Sequence, residues 1–356
     1  MIRSELTAVP PDYHGAIDFA ELARWGIKPD DMLDFSVNSN PFGPVAHVRE
    51  ALKSTPLDRY PDKACLALRA ALSAHLDLPR AQIHVGNGSA ELLWLLSFAC
   101  LQRGDQVVVI GPTFGEYARN AQLMGAQVTQ WRARPEDNFA IHPAEIDQLL
   151  NQVRPSLLYL CNPNNPTGQI VACDVIAHWA QRWPQTLFVI DEAYLAFVPK
   201  MRSVIDLQLD NMLVLRSMTK DYALAGLRLG YAVGPQTIID GLAQVQIPWS
   251  VNSLAQAAGI AALQKQAEYE MLWQHLREET AVFRQSLQAL GYSPMPSATH
   301  YFLMNVGDGQ HWREALLPHG ILVRLCASYQ LPQFVRIATR TPADNNRLLT
   351  ALQQMG

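Results

Sequence analysis

Met212-Leu213-Val214-Leu215-Arg216-Ser217-Met218-Thr219-Lys220-Asp221-Tyr222-Ala223-Leu224-Ala225-Gly226-Leu227-Arg228-Leu229-Gly230 sets a lysine just beyond an apolar, strand-like run. Ser217 and Thr219 precede the lysine, and Arg228 follows eight positions on. A lysine forms a Schiff base with an aldehyde at neutral pH only in a sheltered site that shifts its pKa. Ser217, Thr219 and Arg228 are donors of the kind that hold a phosphate. An aldehyde and a phosphate on one small molecule point to pyridoxal phosphate, whose site also needs an acid for the ring nitrogen. A lone lysine is usually a solvated surface charge. The apolar run before this one and the Ala-Gly-Leu-Arg segment after it argue otherwise.

Upstream of this stretch the chain alternates. Strands are expected over 82–85, 106–110, 127–131, 156–161 and 186–190, and helices over 45–52, 63–76, from the 86–91 glycine loop to about 102, and over 116–124, 142–152 and 173–181. Strands separated by helices of this length imply crossover units and a mostly parallel sheet covered by helices on both faces. Such sheets bind ligands beyond the carboxyl ends of their strands. Four groups fall there: Gly86-Asn87-Gly88-Ser89-Ala90-Glu91, Asn162-Pro163-Asn164-Asn165-Pro166-Thr167-Gly168, Asp191-Glu192-Ala193-Tyr194, and Lys220. The glycine loop opening a helix presents free amides and a positive dipole end to a phosphate. Asp191 could keep a pyridine nitrogen protonated. Asn165 and Tyr194 could hydrogen-bond a ring oxygen and so lower the Schiff-base pKa. Phe114 is a candidate for stacking on the ring.

Downstream of Gly234 the alternation stops. A link at Ile247-Pro248-Trp249-Ser250-Val251-Asn252, a long helical region over 253–290, strands over 300–306, 321–325 and 334–338, and helices near 312–317 and 343–355 describe a smaller α+β unit. Residues 1–45 read as an extended arm, because Pro10-Pro11 and Asn40-Pro41-Phe42-Gly43-Pro44 forbid long helices. The expected division is an N-terminal arm over 1–45 packing with the small domain, a large cofactor domain over 46–247 and a small domain over 248–356. A length of 356 residues fits two domains. Net charge is −4, which gives no field for nucleic acid and no polybasic membrane patch. Five scattered cysteines without a Cys-x-x-Cys pair suit a reducing, cytoplasmic setting. No metal site is expected.

Ser-x-Thr-Lys followed by Leu-Ala-Gly-Leu-Arg-x-Gly resembles the cofactor-lysine signature of the class I/II aminotransferases, the fold type I pyridoxal phosphate enzymes. The resemblance covers nearly the whole chain and lies nearest the branch holding histidinol-phosphate aminotransferases and threonine-phosphate decarboxylases. It implies roles residue by residue. Lys220 would hold the cofactor and then move a proton at the substrate's alpha carbon, Asp191 would face the pyridinium, and Asn165 and Tyr194 would face the phenolic oxygen. Gly88, Ser89, Ala90, Ser217, Thr219 and Arg228 would form the phosphate cup. Tyr60, in Arg-Tyr-Pro-Asp, would reach the phosphate of a neighbouring subunit in a homodimer. Arg336, in Phe-Val-Arg-Ile-Ala, would grip the substrate's anionic group, Arg324 a second one, and His14 and Asn38 would join them at the substrate. The implied activity is amine transfer on a small amine or amino acid bearing phosphate or carboxylate. Decarboxylation of threonine phosphate in cobalamin synthesis is the alternative. Ala90 and Asp221 depart from the common pattern.

Overall fold

The computed structural model describes residues 2, 4–10, 13 and 15–355. In chain order the elements are α1 (Ser4–Ala8), α2 (Phe19–Trp25), β1 (Leu33–Asp34), α3 (Ala46–Lys53), α4 (Leu66–Leu76), β2 (Ile83–Gly86), α5 (Gly88–Cys100), β3 (Gln106–Gly111), α6 (Glu116–Leu123), β4 (Gln127–Arg132), α7 (Pro143–Val153), β5 (Leu157–Cys161), α8 (Cys173–Arg182), β6 (Leu187–Asp191), β7 (Met212–Ser217), β8 (Gly230–Val233), α9 (Gln236–Val245), α10 (Ser253–Leu263), α11 (Gln266–Ala289), β9 (Tyr301–Asn305), α12 (Gly309–Leu316), β10 (Ile321–Leu322), β11 (Arg324–Leu325), β12 (Phe334–Ala338) and α13 (Pro342–Met355).

Seven strands form the central sheet in the order β2-β8-β7-β6-β5-β3-β4. The pairs β7–β6, β6–β5, β5–β3 and β3–β4 are parallel, while β8 runs antiparallel to both neighbours. Every residue of β5 is buried, as are four of the five in β6, so both faces of the sheet are covered. From β3 the chain goes to one side for β4 and then to the other for β5, β6 and β7. Strand order thus reverses between β3 and β5, and a crevice opens beyond the strand ends. A second sheet, β11-β12-β9, is antiparallel. It packs with α11, α12 and α13 around Phe283, Phe302, Leu316 and Leu348.

Several elements differ from the sequence reading. The arm is not extended throughout. Asp18 caps α2 by accepting from the Ala20 and Glu21 amides, and Gly26, at φ 67°, ends it. Leu33 and Asp34 pair in parallel with Ile321 and Leu322. The helix expected from 63 starts at Leu66, because Cys65 is left-handed and Asp62 accepts from the Ala64 and Leu66 amides. The strands expected over 321–325 are two, since the chain leaves β1 at Leu322 and joins β12 at Arg324. Two further elements have no counterpart in the sequence reading: the short β8, just before Gly234, and the helix α9, just after it. Pro235 stands at the start of α9, where a missing N–H does no harm. Among the described residues, no helix is long and apolar enough to cross a membrane, and no group of three or more His, Cys, Asp or Glu could hold a metal ion.

Candidate active site

Five strand ends meet in the crevice. β2 runs into Asn87-Gly88, β3 into Pro112-Thr113-Phe114, β5 into the Asn162–Gly168 loop, β6 stops on Asp191, and β7 ends three residues before Lys220.

The lysine and the acid come from neighbouring parallel strands, with Asp191 opposite Leu215 in the ladder. Asp191 is buried, and that burial raises its pKa against the pull of the hydrogen bonds it accepts. Those bonds come from Tyr117 Oη at 2.7 Å and the Ala193 amide at 3.0 Å. Lys220 is pushed down to about 8, first by burial and then by the cations Arg336 and Arg228, with Asp191 and Asp34 opposing. An amine in that range is substantially neutral near pH 8, as a nucleophile or proton carrier must be. Asn40 fixes the turn by donating its amide to the Lys220 carbonyl at 2.8 Å.

The phosphate-type donors also converge. Gly88, at φ 75°, opens α5, and a Cβ there would meet Arg228 Nη2 at 3.0 Å. A Cβ on Gly230 would meet the Ser89 amide nitrogen at 2.7 Å. Gly88 therefore requires glycine for its left-handed backbone, and Gly230 for the close approach of neighbouring backbone. Ser217 Oγ and Thr219 Oγ1, both buried, lie 2.6 Å apart. Two hydroxyls, a helix N-terminus and a guanidinium form a cradle whose chemistry fits a phosphate dianion. Ala90 lies in the first turn of α5 and offers only its backbone there.

Asn165 and Tyr194 are brought to the same crevice, but their contacts in the described structure are with other side chains. Asn165 Oδ1 accepts from Arg336 Nη1. Tyr194 Oη accepts from Asn38 Nδ2 at 3.4 Å, its ring packs edge-on against Tyr301, and burial raises its pKa. Phe114 is partly buried and meets Tyr117 edge-to-face at 5.5 Å.

Arg324 and Arg336 face each other across β11 and β12, and both are buried. Arg336 Nη2 donates to the Ser36 carbonyl. Arg324 Nη2 donates to the Tyr13 carbonyl and to Ser328 Oγ at 2.8 Å. Among the described residues, Arg324 Nη1 and Arg336 Nε have no partner, as expected of donors reserved for an anion. Arg340 is a different case, since it pairs with Asp344 and the Asp34 carbonyl.

One expected residue is not gathered in. Tyr60 is 78% exposed, and its ring stacks on Trp249 at 4.6 Å. His14 lies outside the described residues. One contributor was missed: Tyr117, which stacks on Tyr159 and supplies the Asp191 hydrogen bond. Its place in the first turn of the helix that opens just beyond the end of β3 was the available signal.

A doubly covered parallel sheet whose strand ends collect a depressed lysine, a buried acid and a phosphate cradle defines an α/β group-transfer enzyme. The aminotransferase class I and II family model matches residues 30–352, and the chain belongs to that family. It is 36% identical over 343 residues to the threonine-phosphate decarboxylase of Salmonella typhimurium, covering 93% of each chain. It is also 36% identical over 332 residues to a histidinol-phosphate aminotransferase of Symbiobacterium thermophilum, covering 91% and 90%. The structure of Sinorhizobium meliloti histidinol-phosphate aminotransferase, in complex with pyridoxal-5'-phosphate, superposes with a TM-score of 0.88 at 23% identity, over 100% of this chain and 98% of that one.

Proposed function

We propose that the chain is a pyridoxal phosphate-dependent enzyme of the aminotransferase type, similar to histidinol-phosphate aminotransferase, acting on a small amine or amino acid with an anionic group. The observation that carries this is the meeting of Lys220, Asp191 and the cradle of Gly88, Ser89, Ser217, Thr219 and Arg228 at adjacent strand ends. The chemistry bound pyridoxal phosphate supplies is an aldehyde for the lysine and a ring that withdraws electrons from the substrate's alpha carbon. Asp191 would hold the protonated ring nitrogen, whose positive charge would draw the carboxyl pKa back toward the ordinary range. Asn165 and Tyr194 would hold the ring oxygen, Phe114 would stack on the ring, and Ala90 would add its amide to the cradle. Lys220 Nζ would take and return the proton at the alpha carbon. Arg336 and Arg324, with Asn38 and His14, hold the substrate's anionic groups.

A second reading, decarboxylation of threonine phosphate, is favoured by the cross-strand arginine pair. That molecule carries a carboxylate and a phosphate, two anions for two guanidiniums. The test is to mix holoenzyme with histidinol phosphate and with threonine phosphate, following amine transfer to a keto acid and carbon dioxide release. Transfer from histidinol phosphate supports the first reading. Carbon dioxide from threonine phosphate without transfer moves the assignment to the second. Turnover of neither rejects both.

In the same reading, residues 46–247 form the cofactor domain, residues 248–356 the smaller domain, and the arm packs with the latter through Leu33 and Asp34. The enzyme is a homodimer in which Tyr60 reaches the partner's phosphate cradle; its exposed ring supports this. Sedimentation as a monomer at working concentration would contradict it. Five free cysteines support a cytoplasmic setting.

A further inference from the structure

The arm supplies part of the wall around Arg324. The Tyr13 ring lies over the Arg324 guanidinium at 4.7 Å, while its carbonyl accepts from Nη2. Gly15 is wedged against Ser36 and Arg324. A Cβ there would meet the Ser36 carbonyl at 2.6 Å and Arg324 Cδ at 3.4 Å. The Ala16 amide donates to Ser36 Oγ at 3.0 Å, and the carbonyl of the same Ser36 accepts from Arg336. Tyr13, Gly15 and Ala16 therefore bear on the two arginines, the last two through Ser36.

Directly after this segment comes α2, whose anchorage is short. Leu22 is buried with Met32, Leu317 and Leu322. One residue earlier, Glu21 makes a fork-to-fork pair with Arg313 of α12, Nη1 to Oε1 at 2.7 Å and Nη2 to Oε2 at 2.6 Å. The Arg313 side chain is only 5% exposed and that of Glu21 18%. Beside the pair lies a cavity of about 360 Å³ lined by Tyr13, Glu21, Gln310, Arg313, Leu325 and Ser328. The arm thus spans a gap and is fastened at its far side by a bidentate ion pair, the strongest common form of polar contact.

We infer that Glu21 and Arg313 are positioning residues for the Arg324 anion subsite: their pair holds Tyr13 over the guanidinium, with Gly15 and Ala16 beside it, and so sets selectivity for substrates with a second anionic group. This rests on the reading that Arg324 binds such a group. Neither residue needs to touch substrate. Loss of the pair lets the arm lift, removing Tyr13 from Arg324 and admitting water, which weakens an ionic contact.

The test uses holoenzyme with Glu21→Gln, Arg313→Gln and the exchanged double variant Glu21→Arg/Arg313→Glu. Both single variants should raise KM for the phosphorylated substrate about tenfold, a common size for coupling between two sites. They should leave kcat and the KM of the unphosphorylated analogue near wild type. Tryptic cleavage after Arg24 should quicken in the single variants. The exchanged variant should recover both properties, which a mere loss of folding would not allow. An unchanged KM for the phosphorylated substrate overturns the inference, whether or not cleavage quickens, and so does an equal rise for both substrates. A wild-type enzyme indifferent to the phosphate group is a separate result, which removes the reading of Arg324 and this inference with it.

Discussion

At the ends of β6 and β7, Asp191 and Lys220 stand on or just beyond backbone held by parallel ladder bonds in the middle of a covered sheet. Around Arg324 and Arg336 the strands are as short as two residues, and several polar contacts come from residues 13–36, far away in sequence. The first region is rigid because every strand in it has a neighbour on each side. The second depends on an arm laid over it. The division suits the chemistry: the cofactor's place must be invariant, whereas recognition of different anions can be retuned by the covering segment.

Five changes probe that contrast. Lys220→Ala should lower activity by at least about 10⁴-fold and abolish the long-wavelength absorbance of the lysine-bound cofactor, since nucleophile and proton carrier go together. Steady-state kinetics and an absorption spectrum read this out. Asp191→Asn should keep the fold and retain cofactor yet lose about 10²–10³-fold in kcat, as when one preorganised electrostatic group is removed. A loss confined to KM would place Asp191 outside the chemistry.

In the second region, Arg336→Lys and Arg324→Lys exchange a fork for a point charge. Each should raise KM about tenfold or more with a smaller change in kcat. The Arg324 effect should appear only for substrates with a second anion. Equal effects for all substrates would dissolve the distinction between the two arginines.

The smallest effect concerns Asp221, raised to about 7 by burial from an ordinary 3.8. Its ionised form is disfavoured in the fold, so the folded state binds more protons between those values, and stability falls as pH rises through that window. Asp221→Asn removes the penalty. Relative to wild type, the variant's melting temperature should therefore be higher at pH 8 and no higher at pH 4. The opposite ordering would mean that the carboxylate is stabilised by its neighbours.

What could be read in advance follows from how local each signal is. The lysine stretch, the glycine loop and Asp191 each sit in one short segment at a strand end, so alternation alone put them in one crevice. Tyr117 to Asp191 spans 74 positions, Asn165 to Arg336 spans 171 and Glu21 to Arg313 spans 292. No local pattern announces a partner so distant. The β8 strand was hidden for a different reason, being four residues long and directly after a glycine-containing turn. In the arm, prolines correctly excluded long helices but could not exclude the seven-residue α2, whose cap is the single residue Asp18.

The claim on which both regions depend is that Lys220 is the residue joined to the cofactor. Borohydride reduction of the holoenzyme, followed by peptide mass mapping, tests it most directly. The expected result is one pyridoxyl-phosphate adduct, on the peptide carrying Lys220. Reduction that leaves this peptide unmodified, or places the adduct on another lysine, would contradict the account.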